Sequence, residues 1–299
     1  MPSAKTEERH DKAKGLDVIH PALALRLLAA GQQAAAKVVE AAIEPISAAA
    51  RIAADCLASG GRLAYAGAGS SGLMAMADAL ELPGTYGIGL DKVAVLLAGG
   101  AASLTDLAGG YEDDMDLARR DVRDAGIGAG DCLIAVSASG STPYALAALD
   151  EARKNGARVI AMANNPGAVL FQDAEICILL QTPPEVVSGS TRMGAGTAQK
   201  IAFNMFSTLV GIHLGHVHDG HMVNLKADNA KLRGRAIRIV SDIAEIGDAE
   251  AGRYLTLSSG SVKIAILLAA GASDVAAAQA ALTEAGQSLR RALSLVAAH

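Results

Sequence analysis

Tryptophan is absent from this chain, and aromatic residues make up only 3% of it. Single-stranded nucleic acids are gripped by stacking bases on aromatic rings, so the scarcity argues against such a partner. A basic surface is missing as well. Lys and Arg number 26 against 31 Asp and Glu, the net charge is −5, and the signs are mixed without a local cationic patch. Such a surface repels a phosphate polymer. Cysteine is scarce: Cys56, Cys132 and Cys177 lie far apart, with no metal-ligand spacing or disulfide framework, and are expected to be buried thiols. No stretch of about 18 apolar residues runs free of Gly or charge, which argues against a helical membrane span. The opening residues MPSAKTEERHDKAKG hold no hydrophobic signal core. Together these absences predict a soluble, cytoplasmic protein with neither a nucleic-acid nor a membrane partner.

What is present is an Ala-, Gly- and Leu-rich chain of 299 residues, 51% apolar, which suits helices packed closely on a sheet. Residues 1–15 are charged and expected to be loose. From Pro21 to Leu57 apolar residues recur at three-four spacing and stop at Gly60–Gly61, the pattern of a helical arm. Short β-type runs then alternate with helical ones. The runs at 62–66, 92–98, 131–137, 157–163 and 174–180 read as strands, with helices starting near Ser71, Gly110, Thr142 and Gly194. This alternation predicts an α/β fold, a doubly wound parallel five-stranded sheet with helices on both faces. Ligands of such sheets sit beyond the C-terminal strand ends. After Ile243 the pattern becomes three short helices. The expected organisation is an N-terminal helical arm over 1–45, a sheet domain over 46–243 and a small helical module over 244–299.

Three Gly/Ser/Thr turns each precede a helix: AGAGSSG at 66–72, SASGSTP at 137–143 and SGSTRMGAGTAQK at 188–200. Glycines let a backbone approach an anion, hydroxyls donate hydrogen bonds, and a helix start adds free N–H groups. The candidate phosphate-binding residues are Gly69, Ser70 and Ser71, then Ser137, Ser139, Ser141 and Thr142, then Ser190 and Thr191. Thr142 and Pro143 also suit the N-cap and first position of a helix. The acidic residue of a dinucleotide fingerprint is missing, since the next strand ends in LLAGG, and no Walker lysine follows. A small phosphate ester fits better than either nucleotide class, and no cofactor or metal is called for.

Two glutamates stand out less clearly. Glu81 sits before Pro83, which is expected to end its helix, so its carboxylate opposes the dipole there at a cost of about 0.3–1 kcal/mol. Leu80 and Leu82 are expected to shield it from water. Glu112 lies among Asp113, Asp114 and Asp116 at a helix start, where acids are usually just solvated. The histidines of GIHLGHVHDGHMVN (His213, His216, His218, His221) read as a polar junction between helices, with His218 or His221 open to acid–base work.

In these motifs the chain resembles the sugar isomerase (SIS) fold and, within it, the N-acetylmuramic acid 6-phosphate etherase family. TEERH, GRLAYAGAGSSG, LELPGTYGI, LLAGG…GGYEDD, SASGSTPYALAALDEARKNGA and SGSTRMGAGTAQK follow the family's order and spacing, and GSVKIAILL resembles its C-terminal helical module. The resemblance covers nearly the whole chain from Thr6. It implies a flavodoxin-like sheet and a lyase that removes the D-lactyl ether from carbon 3 of an amino-sugar 6-phosphate, leaving N-acetylglucosamine 6-phosphate and D-lactate. It also implies Glu81 as proton donor and Glu112 as base. From Ser71 to Glu81 is about 15 Å of helix, so one glutamate is expected to come from a neighbouring subunit of a homodimer with a shared site. Three positions that are usually basic in the family are Leu73, Ser141 and Gly194 here, while Arg192 and Lys200 remain. A phosphosugar aldose–ketose isomerase and a non-catalytic sensor similar to the glucokinase regulatory protein are the alternatives.

Overall fold

Helices α1 (Pro21–Lys37) and α2 (Ile43–Ala58) come first, α1 opening on a proline whose missing N–H is harmless at that position. A short 3₁₀ segment, Val38–Ala42, separates the two. Pro45 accounts for it: its ring denies the fourth preceding carbonyl a hydrogen bond and crowds it. The computed structural model describes residues 5–107, 109–225, 227 and 229–298, so the first four residues of the N-terminal segment lie outside the description.

Five apolar runs form one parallel sheet: β1 (Leu63–Gly67), β2 (Val93–Leu97), β3 (Cys132–Ser137), β4 (Arg158–Ala163) and β5 (Ile176–Leu179). Their order is β2-β1-β3-β4-β5. Between them run α3 (Gly69–Tyr86), α4 (Met115–Asp124) and α5 (Pro143–Lys154), and α6 (Gly194–His213) follows the last strand. Strands covered on both faces are apolar throughout rather than alternating, which is why the runs are legible. On one face Ala64, Ala66, Leu133, Ala135, Val159 and Ala161 pack with Ala118, Val122 and Leu149 of α4 and α5. On the other, Tyr65 meets Phe203 of α6 with ring centroids 5.7 Å apart and donates its hydroxyl hydrogen to Asp78 at 3.0 Å.

Local outcomes differ from expectation in three places. Pro83 does not end α3, which runs on to Tyr86; the stop is Gly87, whose φ of +64° and N–H bond to the Pro83 carbonyl form a left-handed cap. Cys177 is exposed, because β5 is an edge strand with one side uncovered, whereas Cys56 and Cys132 are buried. The segment after residue 4 is not loose. Lys5–Glu7 form a 3₁₀ turn, with Thr6 buried.

By contact the chain divides into two compact units, Met1–Leu80 with Asp91–Ser207, and Glu81–Leu90 with Thr208–His299. The second unit holds α7 (Ala230–Ala244), α8 (Asp248–Leu257), α9 (Val262–Ala269), α10 (Val275–Glu284) and α11 (Leu289–Ala297) around a core that includes Ile239, Ala265, Leu267 and Leu282. Among the described residues four helices, rather than the three expected, follow Ile243. Asp274 and Ser288 accept from the N–H groups of Ala277 and Arg291, so each starts a helix of its own.

This unit also carries an acid-sensitive group. Burial, helped by the charge of Lys263, pushes the His216 imidazole from 6.5 down to about 4. The unfolded chain therefore binds a proton near pH 6.5 that the folded chain refuses until about pH 4. Stability is full above that window and declines through it, by as much as about 3 kcal/mol. Urea unfolding at stepped pH should show this slope, and His216→Leu should flatten it.

Candidate active site

The order β2-β1-β3-β4-β5 reverses direction between β1 and β3. There the connections diverge and leave a crevice beyond the strand ends, the usual ligand position in open α/β sheets. The first two hydroxyl-rich turns leave the sheet from these two strands.

The first turn is tight. A side chain on Gly72 would place its Cβ 2.8 Å from the Gly67 carbonyl carbon and 2.6 Å from Leu97 Cδ1, so only glycine lets α3 start this close to β1. Gly69 has φ +52°, and a Cβ there would stand 2.6 Å from Glu112 Oε1. The Glu112 carboxylate thus hangs directly over the start of α3. Its main chain reaches the foot of the second turn as well, where the N–H of Tyr144, the residue just beyond that turn in α5, donates to the Glu112 carbonyl oxygen at 3.0 Å. One residue spans both turns. Glu112 does not lie in the first turn of a helix with its acidic neighbours, as the sequence suggests. Asp114 takes the N-cap of α4, accepting from the Leu117 N–H at 2.8 Å, and leaves Glu112 outside the helix and turned toward Gly69. Half-burial, then the neighbouring Asp113 charge, raise its pKa above the ordinary carboxylate value.

The second turn is a knot of hydroxyls. Ser137 is buried; its Oγ accepts from the Gly140 N–H at 3.0 Å and lies 3.2 Å from Ser139 Oγ and 2.8 Å from Thr142 Oγ1. The Ser141 hydroxyl donates to Ser139 Oγ at 3.1 Å. Thr142 stands at the N-cap of α5 but does not cap it through its side chain, because its hydroxyl is committed to Ser137. Ser139, Ser141 and Thr142 therefore gather their hydroxyls at a helix start that no side chain of the turn fills. Ser70 is half-buried and Ser71 buried in the first turn of α3.

The third turn differs in kind. Ser190 and Thr191 are half-buried, but the N–H groups at the start of α6 are taken: Gly194 and Ala195 donate to the two carboxylate oxygens of Glu185 at 2.9 and 2.8 Å. Glu185 is only 5% exposed. Gly194 sits against this carboxylate, which the two amides satisfy without a cation. Glu185 escapes sequence reading because it lies nine residues before the helix that it caps, too far for any capping pattern. Asn164 is missed for a similar reason. It follows β4, its Nδ2 donates to the Leu180 carbonyl at 3.0 Å, and its Oδ1 accepts from Gln199 of α6 at 2.9 Å.

Glu81 lies on α3 twelve residues beyond Gly69, about 18 Å along the helix axis. It is exposed, and the shielding expected from its neighbours is only half realised: Leu82 is buried, but Leu80 is 60% exposed. Arg192 and Lys200 are both exposed. The histidine segment folds as a two-residue hairpin, in which His218 pairs with His221 across a turn of Asp219 (φ +44°) and Gly220 (φ +81°).

Among the described residues no helix is long and apolar enough to cross a membrane. The sequence profile of the SIS domain matches residues 28–164, which contain the first two turns and Glu112. A protein of Deinococcus radiodurans named N-acetylmuramic acid 6-phosphate etherase is 42% identical over 88% of this chain and 87% of its own length. Proteins of the same name from Geobacillus thermodenitrificans, 37% identical over 96% of this chain and 98% of its own length, and Streptomyces avermitilis, 40% identical over 92% of this chain and 88% of its own length, agree. With a five-stranded parallel sheet that carries the SIS profile and relatives matched along most of their length, the chain belongs to the N-acetylmuramic acid 6-phosphate etherase family.

Proposed function

We propose that this protein is a carbon–oxygen lyase that cleaves the D-lactyl ether of N-acetylmuramic acid 6-phosphate, giving N-acetylglucosamine 6-phosphate and D-lactate. The observation that carries the reading is the Glu112 carboxylate, held over Gly69 between two hydroxyl-rich turns at the reversal point of the sheet. Gly69, Ser70 and Ser71 of the first turn and Ser139, Ser141 and Thr142 of the second grip the phosphate through hydroxyls and backbone amides, with Ser137 shaping the second turn from beneath. Ser190 and Thr191 close the third side.

Glu112 removes the proton on carbon 2 of the ring-opened aldehyde, a role that its raised pKa supports by making it a stronger base. As the carbon 2–hydrogen bond breaks, its electrons form the double bond to carbon 3 and expel the ether oxygen, which takes a proton from an acid. Water then adds across the double bond, its oxygen to carbon 3 and a proton to carbon 2. Glu81 is the acid. Its distance along α3 from the phosphate turn favours a homodimer in which the partner subunit's Glu81 serves this site.

Incubation with N-acetylmuramic acid 6-phosphate should release lactate and N-acetylglucosamine 6-phosphate in equal amounts. A ketose product without lactate would instead identify an isomerase. Mixing Glu81→Gln and Glu112→Gln subunits after partial denaturation and refolding tests the shared site: random pairing should restore activity that neither variant has alone, and no recovery would place both glutamates in one chain's site.

A further inference from the structure

The turn at Lys5–Glu7 buries Thr6 and leaves Glu7 and Glu8 exposed. Ordering such a segment costs backbone entropy that apolar burial does not offset, so hydrogen bonds must hold it. Their destinations are specific. Asn165, which follows Asn164 at the end of β4 and is 4% exposed, donates through Nδ2 to the Ala138 carbonyl at 3.0 Å and to Thr6 Oγ1 at 3.1 Å, with the Ser139 carbonyl at 3.5 Å. Its Oδ1 accepts from the Thr6 N–H at 3.4 Å. On the other side the Thr6 carbonyl accepts from the Gly189 N–H at 3.1 Å, and Ser188 Oγ donates to the Glu7 carbonyl at 2.9 Å. The chain of contacts runs from the second turn through Asn165 and Thr6 to the third turn, one residue from Ser190.

We infer that Thr6 and Asn165 are positioning residues that hold the second and third turns at the spacing a phosphate ester needs, so that the grip on substrate depends on the N-terminal segment. This rests on the reading of those turns as the phosphate site. Thr6 is 2% exposed, and an amide as buried as Asn165 loses its partners at full desolvation cost, so the link is stiff. Neither residue touches the reacting carbons. Their loss therefore acts on binding rather than on the chemical step.

The test uses Thr6→Val, which keeps the shape and removes the hydroxyl, Thr6→Ser, which restores it, and Asn165→Ala. Three readouts are taken well below the unfolding midpoint: calorimetric Kd for N-acetylglucosamine 6-phosphate, Kd for inorganic phosphate, and the KM and kcat of lactate release. Thr6→Val should raise KM and both Kd values roughly fivefold, as expected for one lost hydrogen bond, and leave kcat within about twofold. Thr6→Ser should return to wild-type values, and Asn165→Ala should exceed the Thr6→Val effect. Unchanged Kd and KM with only a lower Tm would make the link a mere anchor and overturn the inference, as would a fall confined to kcat. If Asn165→Ala does not fold, the valine and serine variants decide alone. A wild-type chain that binds the esters but releases no lactate would sink the lyase reading and leave this one to be judged on Kd.

Discussion

Glu112→Gln is expected to lower lactate release by about 10³-fold, within the range for loss of a general base. The substitution keeps the size of the side chain and one carbonyl oxygen, so binding of N-acetylglucosamine 6-phosphate should stay close to wild type. The pH profile gives a second signature. A base works only when ionised, and burial and Asp113 raise the pKa of Glu112. The acid side of the profile should therefore fall away at a higher pH than an ordinary carboxylate would give. Asp113→Asn removes one of the two causes and should move that limb toward lower pH while the plateau rate persists. A Glu112→Gln enzyme with more than about a tenth of wild-type kcat would remove Glu112 from the chemistry.

Gly69→Ala should cost about 10²-fold in activity without touching the acid itself. The new Cβ would stand 2.6 Å from Glu112 Oε1, closer than nonbonded atoms approach, so the carboxylate must swing off the turn. A displacement of about 1 Å is enough to cost roughly 10²-fold in rate. The left-handed φ of +52° also strains any residue but glycine, by about 1–2 kcal/mol. Gly100→Ala separates the two effects. Gly100 has a similar φ of +57°, yet a Cβ there meets nothing within 4 Å. Both variants should lose comparable stability in thermal unfolding, and only Gly69→Ala should lose activity. Equal activities would show that Glu112 tolerates the displacement.

The sheet was legible because apolar runs covered on both faces are hard to mistake, and the observed strands sit within a residue or two of their expected positions. The glycine turns were legible for a similar reason, since their chemistry is local. What escaped depends on distance in sequence. Glu185 caps α6 across a loop, and Asn165 joins segments 159 residues apart through Thr6. No window along the chain contains both partners. Proline misled once: Pro83 sits inside a helix that it was expected to end. Glu112 was visible as a residue but not as a direction. Only the N-cap taken by Asp114 turns it from a solvated helix start to the mouth of the first turn.

Position 112 meets the second turn through its carbonyl and the first through its carboxylate. Every amino acid brings that carbonyl, so the reactive group can be exchanged while the framework that aims it stays assembled. A change of the side chain at 112 alone would thus leave the backbone link beside the second turn in place.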